Sequence, residues 1–360
     1  MALIGRESEQ DRIRTTLEDL PAGRGGVLLL CGEAGIGKSA LARWAADLSA
    51  GQGIAVHWGV CWEAGGAPAY WPWTQLLRSL LTTDPDGEIE RLLRASPVLL
   101  QLLPELAEPG ATSAHIQADQ ARFQLLESVR SLLHGAGQAQ PRLLLLEDLH
   151  TADSDSLILL QYLAPHLSAL PICVLGTFRD ADARLSGRAE PLWHAARGAE
   201  VMHLGGLAER DVDALLQQVA GVSGTPEQVH SLWQRTDGNP FFLTELIQLG
   251  AGNRRALVPD SINQVIRQQC QYLPDATRRW LEAAAVIGRA FSLQELGSLV
   301  GAADQDPQDE LEPALQLAIV ERETDDRYRF AHILYRDVVY ADQEPRRQRD
   351  LHRSYARCLR

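Results

Sequence analysis

Apolar residues in the first part of the chain fall into short runs at Gly26–Cys31 (GVLLLC), 54–60 (IAVHWGV), 143–146 (LLLL), 172–177 (ICVLGT) and 201–204 (VMHL). Each run is four to seven residues long, and several contain no polar residue. That is the pattern of strands buried on both faces of a parallel sheet. Amphipathic stretches at helical spacing, such as 39–48 and 153–167, separate the runs. Strands alternating with helices predict a doubly wound α/β domain over residues 1–206.

From about Glu209 the pattern changes to polar-faced helical spacing at 209–220, 226–235, 241–249 and 261–272. This predicts a small helical domain over 207–272. An Ala-rich helix over 277–288 follows, and an alternating pattern near Tyr328, Arg329 and Phe330 closes the region. Helices followed by a short hairpin predict a winged-helix-like domain over 273–345. Residues 346–360 read as the start of a further helix or linker. The helical pattern of 348–360 runs to the last residue without a cap, as in a piece of a longer chain. The acidic stretch 304–312 (DQDPQDELE) reads as a solvated loop.

Composition narrows the function. Hydrophobic residues make up 45% and charged residues 22%, which excludes a disordered tail or a fibre. The net charge is −13, from 34 basic and 47 acidic residues. A chain of that sign is poorly suited to coating phosphate backbones, so no direct nucleic-acid binding by this segment is expected. The cysteines Cys31, Cys61, Cys173, Cys270 and Cys358 show no metal-ligand spacing. Cys31 and Cys173 lie in apolar runs and read as buried thiols. No segment reaches the ~18 apolar residues of a membrane span, and the N-terminus lacks a signal-peptide pattern, so a cytoplasmic protein is expected. Among the basic residues there is one lysine, Lys38; all others are arginine. A surviving lysine marks a position where a compact ammonium is needed, such as a site between two phosphates.

Lys38 lies in Gly32-Glu-Ala-Gly-Ile-Gly-Lys38-Ser39, a G-x-x-x-x-G-K-S pattern between a buried strand and an amphipathic helix. The glycines let backbone N–H groups converge on an anion, and the helix start adds its positive end. The predicted nucleotide-binding positions are therefore Gly32, Ala34, Gly35, Ile36, Gly37, Lys38, Ser39 and Ala40. Lys38 reaches the β- and γ-phosphates, and the Ser39 hydroxyl is a ligand for Mg²⁺. An acidic element is expected on a neighbouring strand, and the leucine run ending in Glu147 and Asp148 supplies it. One carboxylate serves the metal and the other orients or deprotonates an attacking water; the sequence leaves open which does which. A third apolar run ends in Thr177-Phe-Arg179. Arg179 reads either as a bidentate γ-phosphate sensor or as a surface arginine paired with Asp180 or Asp182.

Taken in order, several motifs carry a resemblance. They are Leu3-Ile-Gly-Arg-Glu7, the Lys38 loop, the stretch from Cys61 to Trp73 (CWEAGGAPAYWPW), and Glu147-Asp-Leu-His-Thr-Ala-Asp153. Gly176-Thr-Phe-Arg179, Gly238-Asn-Pro-Phe-Phe242 and the stretch from Phe330 to Tyr340 (FAHILYRDVVY) complete the set. The chain resembles the nucleotide-binding core of the STAND class of signalling P-loop ATPases. Within it, the chain is similar to the branch found in large ATP-binding LuxR-type regulators and in multidomain cyclases and kinases. Relatives commonly carry aspartate where this chain has Glu147 and tryptophan where it has Thr151. The resemblance implies adenine contacts from Ile4, Gly5 and Arg6, and a proline, Pro240, over the nucleotide. It also implies a winged helix whose histidine, His332, touches the β-phosphate of ADP. From the residues alone, a satisfied core histidine is the other account of His332.

The resulting expectation is an ATP/ADP switch with slow hydrolysis, gated by an inducer or partner protein and controlling self-association and signalling. A continuously cycling AAA-type motor or nucleic-acid loader is the alternative, and a small-molecule kinase a third. Two stretches remain. The aromatic residues of 58–73 form either a lid on the sheet or a ligand platform. The tail 346–360 has six arginines and one aspartate, read as a solvated helix face or a nucleic-acid patch.

Overall fold

A computed structural model describes residues 3–62, 67–84, 87–106, 118–185, 189–248, 260–301, 306–324 and 326–358. The chain divides into two compact units, Met1–Leu204 and Gly205–Arg360.

The first unit is built on strands β1 (Gly26–Cys31), β2 (Ala55–Val60), β3 (Arg142–Glu147), β4 (Ile172–Phe178) and β5 (Glu200–His203). All pair in parallel, in the order β2-β3-β4-β1-β5. Uninterrupted apolar runs are required because side chains alternate between two buried faces. Val27, Leu29, Leu144, Leu146 and Val174 join one core, whereas Leu28, Leu30, Leu143, Leu145 and Leu175 join the other. Helices α1 (Glu7–Asp19) and α2 (Lys38–Gly51) cover the second face with Ile13, Leu17, Leu41 and Ala45. The first face is covered by α3 (Trp71–Thr82), α4 (Glu88–Arg94), α5 (Ala118–Ala139) and α6 (Ser154–Leu167), with α7 (Asp180–Leu185) and α8 (Ala189–Ala196) following β4. Helices on both faces make this the predicted doubly wound α/β sheet. One expectation fails: the acidic strand β3 is not a neighbour of β1, because β4 lies between them. Strand order is set by crossovers, which leave no mark in the local pattern.

Two polar residues in the edge-strand region are fully enclosed. His57 on β2 has Nδ1 2.9 Å from Ser79 Oγ and Nε2 3.0 Å from Arg142 Nη1. Arg142, at the start of β3, also donates from Nε to Ala136 O at 2.9 Å. Of the aromatic stretch, Tyr70 and Trp73 are buried in the sheet's core, and Trp73 Nε1 donates to Ser156 O at 3.1 Å. Trp62 is exposed, and residues 63–66 lie outside the described residues. Pro72 occupies the first turn of α3, as its fixed φ favours.

The second unit opens with α9 (Glu209–Ala220), α10 (Pro226–Thr236), α11 (Pro240–Gln248), α12 (Asp260–Gln271) and α13 (Asp275–Ile287). Strand β6 (Ala290–Ser292), α14 (Leu293–Val300), α15 (Pro307–Gln316), β7 (Val320–Arg322), β8 (Arg327–Phe330), α16 (Ile333–Ala341) and α17 (Pro345–Cys358) follow. The three strands are antiparallel, in the order β6-β8-β7. Here the acidic stretch is corrected: from Pro307 it is helix, not loop. Asp306 caps the helix through Gln308 N, acids in the first turn complement the helix dipole, and Leu311 and Ala314 bury one side. Asp304 lies outside the described residues.

Candidate functional site

The loop between β1 and α2 holds two residues in the left-handed region, Gly35 at φ 75° and Gly37 at φ 104°. A side chain at either would strain the turn. Gly32 is constrained differently, since a Cβ there would lie 2.9 Å from Leu204 O. Lys38 is buried, and its Nζ donates to Gly32 O at 2.8 Å and Glu33 O at 2.7 Å. The ammonium is thereby fixed over the loop. Helix α2 begins at Lys38, preceded by Gly37 with no side-chain cap, and has no acid in its first turn. Its leading N–H groups and dipole therefore remain directed at an anion position.

Arg6 braces this loop from the N-terminal segment. Its buried guanidinium donates from Nη2 to Ile36 O at 2.9 Å and lies 3.3 Å from Glu9 Oε1. The preceding Gly5 has φ 64°, which turns the chain into α1. The structure thus brings the segment of Ile4, Gly5 and Arg6 to the loop, and assigns the Arg6 side chain a backbone carbonyl.

The acidic pair is split by backbone conformation. Glu147 ends β3, and Ser39 Oγ donates to its Oε2 at 3.3 Å, although β4 intervenes between their strands. Burial, and next the charge of Asp148, raise the Glu147 carboxyl above its ordinary range, while the Ser39 hydrogen bond opposes them. Asp148 adopts φ 59°, ψ 44°, a left-handed conformation that costs a non-glycine residue energy. Its N–H donates to the buried Thr177 Oγ1 of β4 at 3.0 Å, and His150 Nδ1 lies 3.9 Å from its Oδ1. Thr177, read as part of a Thr-x-Arg motif, is therefore the residue that anchors the acidic turn. Arg179 is half-buried just past β4, where its carbonyl accepts Ala183 N at 3.1 Å. Asp180 engages Arg184 at 2.7 Å and Trp193 Nε1 at 2.9 Å.

A Mg²⁺ ion carried by a nucleotide takes one or two protein oxygens and completes its shell with phosphate and water. The Ser39 and Glu147 oxygens fit that demand. No group of three or more His, Cys, Asp or Glu suited to a wholly protein-held metal occurs among the described residues.

Pro240 and His332 belong to the second unit. Pro240 begins α11, and His332 precedes α16. The His332 ring is buried, stacks on Tyr335 at 5.8 Å and meets Phe242 edge-on at 5.5 Å. Its Nδ1 lies 3.3 Å from Asp237 Oδ2, which also accepts Arg289 Nη2 at 2.9 Å. Burial would raise the Asp237 carboxyl, but His332 and Arg289 beside it hold it below the usual value. Sequence reasoning passed over Asp237; its signal was an acid directly ahead of Gly238-Asn-Pro. The thiols behave as read: burial pushes Cys31 up to about 11 and Cys173 up to about 12.

Residues 2–175 match the family model for an AAA ATPase domain. Across the whole chain, the fold is similar to the Aeropyrum pernix ORC2 protein solved as ADPNP-ADP complexes. That alignment has a TM-score of 0.56 and 16% identity, and covers 99% of this chain and 95% of that one. A Signal Transduction ATPase with Numerous Domains from Pyrococcus horikoshii, with a tetratricopeptide repeat sensor, aligns at TM-score 0.42 and 17% identity. It is covered over 45% of its length by 99% of this chain. No curated protein sequence matches. The loop, sheet and helices of the first unit are those of a P-loop NTPase.

Proposed function

We propose that the chain is an ATP- and ADP-binding regulatory switch with slow ATP hydrolysis, controlling self-association and signalling within a larger LuxR-type regulator. The observation that carries the nucleotide reading is the convergence of three elements: the Lys38 loop, the uncapped start of α2, and Glu147 within 3.3 Å of Ser39. Lys38 binds the β- and γ-phosphates. Ser39 and Glu147 would hold Mg²⁺, which when bound neutralises charge on the triphosphate. Asp148, turned out of the Ser39 contact by its left-handed backbone, orients the attacking water, and Arg179 senses the γ-phosphate. Ile4, Gly5 and Arg6 serve the adenine, and Pro240 and His332 are the second unit's nucleotide contacts. The region bearing the three-stranded sheet acts as a winged helix, and an inducer or partner protein favours exchange of ADP for ATP. The ordered motifs and the acidic net charge support this switch over a motor or loader.

The test is to denature the purified protein and identify the released nucleotide by chromatography. Near-stoichiometric ADP supports the switch; no nucleotide together with rapid hydrolysis of added ATP supports a cycling motor or loader. Lys38→Ala removes one charge-assisted contact worth ~1.5–3 kcal/mol, a loss of roughly tenfold to a hundredfold in affinity. Unchanged nucleotide affinity in that variant refutes the site.

A further inference from the structure

Helix α17 packs through one side only. On that side Arg347 pairs with Glu282, His352 Nε2 lies 2.8 Å from Tyr340 Oη, and Leu351, Ser354 and Tyr355 are half-buried. At 100° per residue the opposite side carries Arg346, Arg349, Arg353 and Arg357, all exposed. Their spacing of i, i+3, i+7 and i+11 makes one straight stripe about 16 Å long at a rise of 1.5 Å per residue. Asp350 lies 3.7 Å from Arg353. Among the described residues, no carboxylate is within ion-pair distance of Arg346, Arg349 or Arg357.

Local energetics account for Arg357, a base in the last turn of α17, but not for the rest of the stripe. Like charges three and four residues apart repel along a helix. The first turn of α17 contains no acid and does contain Arg346, the wrong sign for a helix start. In a chain of net charge −13, the stripe is opposite in sign to the whole, so a second copy of the chain is attracted to it. A partner that supplies carboxylates removes both costs.

The same unit presents such carboxylates. Asp306, which precedes α15, and Asp309 and Glu312 within it are exposed at i, i+3 and i+6. Glu312 accepts a hydrogen bond from Gln316 Nε2 at 3.2 Å, and Asp306 caps its own helix. No ion pair joins α15 to α17, or gives these three acids a basic partner, among the described residues. The two stripes leave each other unneutralised within one chain, and complement each other between chains.

The geometry points to self-association through charge, with the α17 arginines of one copy docking on the α15 carboxylates of a second copy. This supplies a surface for the self-association in the switch reading, and rests on that reading only for its regulation. The contact itself needs no nucleotide. Exposed ion pairs are individually weak and screened by salt, so the association is salt-sensitive.

The test is sedimentation velocity of the full chain at low and high NaCl. Raising salt from about 50 to about 500 mM lowers the association constant by about tenfold or more. Arg349→Glu with Arg353→Glu makes one variant, and Asp309→Arg with Glu312→Arg makes another. Each alone is monomeric at low salt, and a one-to-one mixture associates again, because each variant then faces the opposite charge. Lys38→Ala retains the low-salt association, which separates this surface from the nucleotide site. The proposal is overturned if wild type stays monomeric at low salt, if either variant associates unchanged, or if the mixture fails to restore the contact. Oligonucleotide binding abolished by the arginine substitutions also overturns it, since the stripe then faces nucleic acid.

Discussion

His57 makes the stability of the first unit depend on pH in a way that can be worked out from its contacts. Its Nε2 faces the Arg142 guanidinium at 3.0 Å, so that nitrogen must accept, and Nδ1–H is left to donate to Ser79 Oγ at 2.9 Å. The neutral ring satisfies both partners; a protonated ring would aim a second donor at a fixed positive charge. Burial, and then Arg142, push His57 from 6.5 down to about 4. Because the folded value is depressed and the charged form is the acid form, the unfolded chain binds the extra proton first. Stability from this residue is complete above about pH 6.5 and is lost as pH falls toward 4. A shift of that size corresponds to roughly 3 kcal/mol across the window, at about 1.4 kcal/mol per pH unit. His57→Gln keeps an acceptor for Arg142 and a donor for Ser79 but cannot titrate. Urea unfolding followed by tryptophan fluorescence should show wild type losing about 3 kcal/mol relative to the variant between pH 7 and 4. Carboxylate titrations common to both proteins cancel in the difference. Parallel pH profiles for the two proteins would refute the argument.

Three further outcomes follow from the same contacts. Thr177→Val removes the acceptor for Asp148 N while nearly preserving shape, and should cost ~1 kcal/mol and lower the hydrolysis rate at unchanged ATP affinity, whereas Thr177→Ser retains both. An unaltered urea midpoint in the valine variant would count against the anchor. Asp237→Asn tolerates the φ of 44° but removes the charge shared by His332 and Arg289. The half-exposed site limits the loss to ~1 kcal/mol. Since the Asp237 value is lowered, the deficit is present at neutral pH and disappears as pH falls through the wild-type value; a pH-independent deficit contradicts the ion pair. Glu147→Gln should weaken Mg²⁺-dependent ATP affinity, and Asp148→Asn should spare affinity but abolish turnover, both read by nucleotide titration and phosphate release. The reverse pattern would exchange their roles.

What the sequence disclosed, and what it concealed, follows from the range of the forces involved. The central strands were legible because burial on both faces demands apolar residues at every position, as in the Leu143-to-Leu146 run. The Lys38 loop was legible because its chemistry is local: glycine conformations, one ammonium and a helix start lie within eight residues. Helix α1 left a faint signal, since Ile13 and Leu17 are its fully buried residues. The pattern over helix α15 predicts a loop because acids outnumber its two buried positions, although those same acids favour its first turn. Strands β6 and β7 have three residues each and acquire their identity only by pairing with β8.

The different contacts of Glu147 and Asp148 show why local reading stops where it does. Adjacent carboxylates are chemically alike, and no spacing rule ranks them. They become different when β4 enters between β1 and β3, placing Thr177 beneath the turn that follows Glu147. Thr177 captures the Asp148 N–H, the backbone at Asp148 is held left-handed, and Glu147 is the carboxylate that reaches Ser39. The same logic applies in the second unit, where Asp237 acquires its role from Arg289 and His332, fifty-two residues away and further. In each case a short-range motif supplies the polar groups, and a residue distant in sequence decides which partner each of them meets.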